Sequence, residues 1–267
     1  MITTVAGDAF VGEAVASVLA TLPEHATPVV VFDGAASELP PGDRYQGVEV
    51  VCTGRRGGVG RALNIGLRST RGRFVARLDG DDISKPGRFN RQLEVLQSDP
   101  GIIAVATGGD IVDERGEFRS LYPTGPGGDV RSLLVRRNPV IHSSLMVRRS
   151  ALEEVGGYDE TLMRMQDYDL LLRLALLGSI VALPESLVKY RVHGSQNSRI
   201  PASALRTLLK LVKRRQSLAR YLRDRPLLMQ CVLDLAWISA QLLRYAGLRR
   251  GGYRKAAGRR VIKRRNG

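Results

Sequence analysis

The run Phe74-Val75-Ala76-Arg77-Leu78 stops on Asp79-Gly80-Asp81-Asp82, and no other stretch restricts the fold so tightly. A short apolar segment of this kind belongs in a buried strand. Three carboxylates within four positions need solvent or a cation, so the strand must end at an open edge of its sheet. Carboxylates this close repel one another. A hard divalent ion such as Mg2+ or Mn2+ relieves the repulsion and leaves coordination positions free for a diphosphate. An isolated Asp-x-Asp has a plainer reading as a solvated acidic turn capping the next helix, so the surrounding pattern has to decide.

That pattern alternates. Phe10, Ala14, Val15, Val18, Leu19 and Leu22 recur at helical spacing, and Pro28 precedes the strand-like run Val29-Val30-Val31-Phe32, which ends at Asp33-Gly34. Val48 to Cys52 reads as a second short strand, leading through Gly57-Gly58 to a helix with Val59, Leu63 and Leu67 on one face. The strand Phe74 to Leu78 follows. Beyond the acidic cluster, Phe89, Leu93 and Leu96 mark another amphipathic helix, stopped by Asp99-Pro100, and Ile102 to Ala106 a further buried strand. Glu114 to Arg131, rich in Gly and Pro, reads as a loop or hairpin, and His142 to Val147 as a strand. Ser150-x-x-Glu153 predicts a capping box on a short helix ending at Gly156-Gly157. Asp167 opens a helix with the core stripe Leu170, Leu171, Leu174 and Leu177, and a strand pair, Ile180 to Leu183 and Val188 to Val192, leads to His193.

Units of this length call for an α/β fold, a mainly parallel sheet with flanking helices. Ligands then bind at the carboxyl ends of the strands, where Asp33 and the Asp79 to Asp82 cluster both lie. No Walker-type Gly-x-x-x-x-Gly-Lys occurs, and no Gly-x-Gly-x-x-Gly follows a strand, which weakens kinase, NTPase and dinucleotide readings.

Hydrophobic residues make up 43% of the 267, enough for one large α/β domain or one domain plus an appendage. Cys52 and Cys231 alone give no disulfide framework and suit a reducing compartment. No basic stretch followed by an apolar core opens the chain, so the expected location is cytoplasmic. The net charge of +15 is unevenly spread. From Ser203 onward 18 Lys and Arg face only Asp224 and Asp234, whereas the remainder carries 23 basic and 24 acidic residues. This shift places a boundary near Asn197 to Pro201, with a catalytic domain over residues 1–200, a helical extension over 201–248 and a basic tail over 249–267.

Taken in order, the motifs resemble those of the inverting family 2 nucleotide-sugar glycosyltransferases, which have the Rossmann-like GT-A fold. The resemblance rests on Asp33-Gly34, the segment Gly58 to Leu67, the cluster Asp79-Gly80-Asp81-Asp82-Ile83-Ser84 with Pro86 and Arg88-Phe89, and the stretch His142 to Ser150. Gly156-Gly157-Tyr158-Asp159-Glu160, Gln166-Asp167-Tyr168-Asp169-Leu170 and Tyr190-Arg191-Val192-His193 complete it. It implies that Asp33 accepts a hydrogen bond from the nucleotide base, and that Thr3, Asn64, Asp79 and Gly80 help hold the nucleoside-diphosphate sugar. It further implies that Asp81, with His193, holds a divalent metal, Mn2+ or Mg2+, against the diphosphate. Asp167 becomes the general base that takes the proton of the acceptor hydroxyl, and Asp169 a structural acid. On the residues alone, His193 also reads as an exposed loop histidine and Asp167 as a helix-capping acid. The Gln-x-x-Arg-Trp motif of processive synthases is absent, which favours single additions.

In the basic arm, Leu205, Leu208, Leu209 and Val212 form an apolar stripe beside Arg206, Lys210, Lys213, Arg214 and Arg215, the pattern of a helix lying on an anionic membrane. Leu227 to Leu243 is too polar to span one, and its burial against the catalytic domain or a partner chain is equally open. The expected partners are therefore a nucleoside-diphosphate sugar donor and a glycan or lipid-linked acceptor at the inner face of the membrane, with a homodimer left open. Aromatic residues are 5% of the chain and no nucleic-acid module is evident, so no specific nucleic acid is expected. A nucleotidyltransferase of related fold, or an impaired scaffold binding polyanions, are the alternatives.

Overall fold

The computed structural model describes residues 1–5, 8–122, 127–194, 204–223 and 227–245. In chain order the elements are β1 (Ile2–Thr4), α1 (Val11–Leu19), β2 (Val29–Phe32), β3 (Glu49–Cys52), α2 (Val59–Ser69), β4 (Phe74–Ala76), β5 (Leu78–Asp79), β6 (Ile83–Ser84) and α3 (Arg88–Ser98). Then come β7 (Ile102–Val112), β8 (Phe118–Leu121), β9 (Gly128–Asp129), α4 (Arg131–Leu134), β10 (Met146–Arg148), α5 (Arg149–Glu154), α6 (Gln166–Leu174) and β11 (Ser179–Arg191). Helices α7 (Ala204–Leu222) and α8 (Leu227–Tyr245) follow.

Four strands in the order β3-β2-β1-β5 form a wholly parallel sheet, the α/β arrangement the alternating pattern calls for. A second, mixed sheet runs β4-β10-β7-β11-β6. There β10 lies antiparallel to both β4 and β7, and β11 parallel to β7. Successive side chains of β7 serve opposite faces, as the two-residue period of a strand requires: Ala104 and Ala106 join the core under α2, α4, α5, α6 and α7, and Val105 the core under α1 and α3.

Several local expectations are corrected. The run Phe74 to Leu78 is not one strand: β4 pairs in the mixed sheet and β5 in the parallel one, and the chain changes sheet at the buried Arg77, whose N–H donates to the carbonyl of Leu145. The strand pair expected over 180–192 is one strand, β11, which absorbs Pro184 through register shifts instead of turning. His142 to Ser144 form a short 3-10 turn, and only Met146–Arg148 pairs as a strand. Ser150 makes no capping box, because the helix already begins at Arg149 and Ser150 sits inside its first turn. Val59 and Leu177 face solvent, 39% and 37% exposed.

In α7 the buried face is Leu208, Leu211, Arg215, Leu218 and Ala219, not the stripe through Leu205 and Leu209, which are exposed. Leu211 and Leu218 belong to the same core as α6, so this helix packs on the catalytic fold. The boundary expected near Asn197 to Pro201 and the tail from residue 249 lie outside the described residues.

Candidate active site

Strands β1, β2 and β5 end side by side, with Thr3 in register with Asp79 and Thr4 with Phe32, so Thr3, Asp33 and the acidic turn reach one edge of the sheet. The turn packs tightly: a Cβ on Gly80 would stand 2.4 Å from Asp8 Oδ2 and 3.0 Å from the Thr3 carbonyl, which explains a glycine between the acids. Asp79, Asp81 and Asp82 present carboxylate oxygens within 4.8 Å of one another.

Each acid of the turn has a different surrounding. Burial alone would raise Asp79, but the Arg77 guanidinium paired with it holds it below the usual carboxylate range. Arg77 also donates to Ser143 Oγ at 3.1 Å and Thr3 Oγ1 at 3.2 Å. Asp82 is fully buried, accepting from the Arg191 N–H at 2.8 Å and contacting the Ser143 hydroxyl, and burial together with Asp81 and Asp79 pushes it well up. Asp81 is also raised, by burial and then by Asp79, against a hydrogen bond of 2.9 Å from His193 Nε2. The donor set fits a divalent cation: Asp79 and Asp81 bring hard carboxylate oxygens together at the sheet edge, whereas both oxygens of Asp82 are taken up by the protein and serve the turn itself.

Arg191, at the end of β11, fixes this turn from the other sheet. Its Nε donates to the Asp81 carbonyl at 2.9 Å and its Nη2 to Glu13 at 2.7 Å, and its guanidinium lies over the Phe10 ring, which also packs on His193. His193 therefore stands against the acidic turn, not loose in a loop.

Asp167 occupies the second position of α6, after Met165, which adopts a left-handed conformation at φ 59°. Burial pushes its carboxyl up despite the N–H groups of Tyr168 and of Asp167 itself, and it lies within electrostatic reach of Arg77 and Asp79. Asn138 Nδ2 donates to Asp167 Oδ2 at 2.9 Å, while Asn138 Oδ1 accepts from the Val140 N–H, which fixes the amide's orientation. His142 and Tyr158, 2.9 Å apart, add further groups in electrostatic range of Asp79, and burial keeps the His142 imidazole neutral by pushing its pKa well down. Asp169, fully buried, holds Arg173 at 2.8 Å and Arg214 of α7 at 3.5 Å.

Two expected donor contacts are engaged elsewhere. Asp33 accepts from the N–H groups of Gly57 and Gly58 at 3.0 and 2.8 Å and from Thr53 Oγ1 at 3.0 Å, so it first shapes the loop before α2. Asn64 clamps the loop after α5, its amide donating to the Tyr158 carbonyl and Glu160 and accepting from the Tyr158 N–H, each at 2.8 Å. Sequence reasoning assigned no role to Arg77, Asn138, His142, Ser143 or Tyr158. Arg77, a charge inside an apolar run, carried a readable signal, and His142, Ser143 and Tyr158 stand inside motif segments that mark no single one of them.

The profile of glycosyl transferase family 2 matches residues 1–156. The chain is 32% identical over 169 residues to the amylovoran biosynthesis glycosyltransferase AmsE of Erwinia amylovora, covering 61% of this chain and 63% of that protein, just under two thirds of its length. It is 25% identical over 222 residues to a glycosyltransferase of Haemophilus influenzae, covering 77% and 68%. The structure of S. aureus TarS residues 1–349 in complex with UDP-GlcNAc matches with a TM-score of 0.64 at 15% identity, over 89% of this chain and 70% of that one. At that identity the likeness speaks for the fold alone, and the fold is GT-A.

Proposed function

The chain belongs to glycosyl transferase family 2 and is a glycosyltransferase, and from this premise we propose that it catalyses a metal-dependent, inverting transfer of a sugar from a nucleoside diphosphate to a hydroxyl of a glycan or lipid-linked acceptor. The observation that carries this reading is that Asp79, clustered with Asp81, lies within electrostatic reach of a desolvated, oriented Asp167.

Asp81 and Asp79, with His193 beside Asp81, would hold the cation. A divalent ion so bound neutralises negative charge on the nucleoside diphosphate as it leaves. Arg77 keeps Asp79 ionised and oriented. Asp33 Oδ1 is filled by Thr53 and Gly57, and Oδ2, which accepts only from Gly58, retains a second lone pair for an N–H group of a base, while Thr3 and Gly80 line the sheet edge. Asp167 removes the proton from the acceptor hydroxyl while that oxygen attacks the anomeric carbon from the face opposite the diphosphate, and a single displacement inverts the centre. Desolvation keeps its basicity above that of an exposed carboxylate, which suits the task.

The TarS complex with UDP-GlcNAc makes uridine donors the first to test. A donor-hydrolysis screen across UDP, GDP and dTDP sugars, with Mn2+ or with chelator, tests both the donor class and the metal. Turnover of one donor that collapses in chelator and returns with Mn2+ is the expected result. Turnover indifferent to chelator contradicts the metal assignment, and retention of anomeric configuration in the glycoside product contradicts the single displacement.

A further inference from the structure

Helix α8 is built inside out. Gln230, Asp234, Trp237 and Gln241 recur at heptad spacing and turn inward, with Asp234 paired to Arg215 at 3.1 Å and Trp237 under the Arg215 guanidinium and beside Tyr168. The opposite face carries Met229, Val232, Leu235, Leu242 and Leu243, each between 43% and 66% exposed, with exposed Ala236 and Ser239 between them and no charge among them. Eight of the fourteen large apolar side chains exposed among the described residues lie on α7 and α8. A continuous apolar stripe of this length on one helix is unusual on a surface meant for water alone.

The neighbouring helix supplies the sign of the partner. On α7 the residues Arg206, Lys213 and Arg220 are exposed and spaced by two turns each, so they form one basic stripe opposite the buried face. The sequence beyond Ser203 adds the rest of an 18-to-two excess of basic over acidic residues. A symmetric dimer through α8 would bring two such arms together and force like charges into proximity, whereas an anionic lipid leaflet neutralises them. No described helix is long and apolar enough to cross a membrane, which suits a face that lies on one.

We propose that α7 and α8 together form a docking face for an anionic lipid surface, the apolar stripe of α8 entering the boundary between headgroups and acyl chains while the basic stripe of α7 meets the headgroups. The proposal deepens the lipid-linked acceptor reading and draws its purpose from it, but its test does not depend on transfer.

The test is flotation of the full chain with vesicles of phosphatidylglycerol and phosphatidylcholine in equal parts, against vesicles of phosphatidylcholine alone. The chain is expected to float only with the anionic vesicles. Val232→Ser/Leu235→Ser should weaken partitioning by at least about tenfold, and Arg206→Gln/Lys213→Gln/Arg220→Gln by roughly fivefold per charge removed. Both variants alter exposed side chains outside the catalytic machinery, so circular dichroism and donor hydrolysis in solution should match the parent chain. Two outcomes overturn the proposal. One is equal flotation of the parent and the double serine variant. The other is a parent chain that ignores vesicles but sediments as a dimer, which the double serine variant dissociates; α8 would then be a subunit interface. Loss of donor hydrolysis in every form, with flotation intact, would instead count against the catalytic reading alone.

Discussion

Burial raises the Asp167 carboxyl, and this has opposite consequences for stability and for catalysis. A carboxyl whose folded pKa lies above its unfolded value contributes stability while protonated and loses it as pH rises through the folded pKa. Asp167→Asn removes that loss. The variant is expected to melt at a higher temperature than the parent at pH 7 to 8, with the difference closing as pH approaches the ordinary carboxylate range near ~4, while transfer falls by roughly 10^2–10^4. Calorimetry across pH and a transfer assay check the two halves; an unchanged melting difference across that window removes Asp167 as the titrating group. Asn138 acts on the same carboxylate from outside the reaction. Asn138→Ala deletes a donor to the charged form, so the acid limb of the kcat profile should move to higher pH and kcat should fall by about tenfold with KM for donor nearly unchanged. A fall in kcat with no movement of that limb would mark Asn138 as merely structural.

The elements most legible in the sequence were those whose information is local. Val29–Phe32, the helix from Val59 and the helix from Arg88 follow from apolar spacing and from Gly or Pro stops, and the acidic turn follows from its own composition. What sequence could not give depends on partners far along the chain. The change of sheet at Arg77 is set by pairing with Met1 and Leu145, and the continuity of β11 past Pro184 by its alignment along β7. The buried face of α7 is hidden from an apolar count because Arg215, a charge, sits in it, paired with Asp234 and donating to the Val135 carbonyl at 2.9 Å. That pair fastens α8 to α7. Asp234→Ala leaves the buried guanidinium without its carboxylate and is expected to lower stability by ~3 kcal/mol in urea unfolding, with only a minor change in the kcat of enzyme that remains folded. A loss below ~1 kcal/mol would mean that the pair behaves as if exposed.

At the scale of the whole molecule, two sheets of different hydrogen-bonding pattern are joined through one turn of three acids, with Arg77 reaching it from the sheet crossing and Arg191 from the end of β11. The fold therefore carries buried, mutually repelling carboxyls at its junction, and Asp81 and Asp82 are raised first by burial and then by their acidic neighbours. A ligand that binds only the folded chain and relieves this repulsion should stabilise the entire domain, because both sheets depend on the turn. Mn2+ with a nucleoside diphosphate at 100 times its dissociation constant adds about 2.7 kcal/mol, a rise of roughly 5–10 °C in melting temperature for a domain of this size. Asp81→Asn is expected to have two effects in the same fluorimetric experiment. Without metal it melts higher than the parent, since one of three like charges is gone, and with metal it gains little. The first effect comes from desolvation and repulsion, the second from a lost ligand, so they separate the role of Asp81 in the fold from its role in binding. Equal Mn2+-dependent shifts in parent and variant would move the cation away from Asp81 and leave the acidic turn as a purely structural joint between the two sheets.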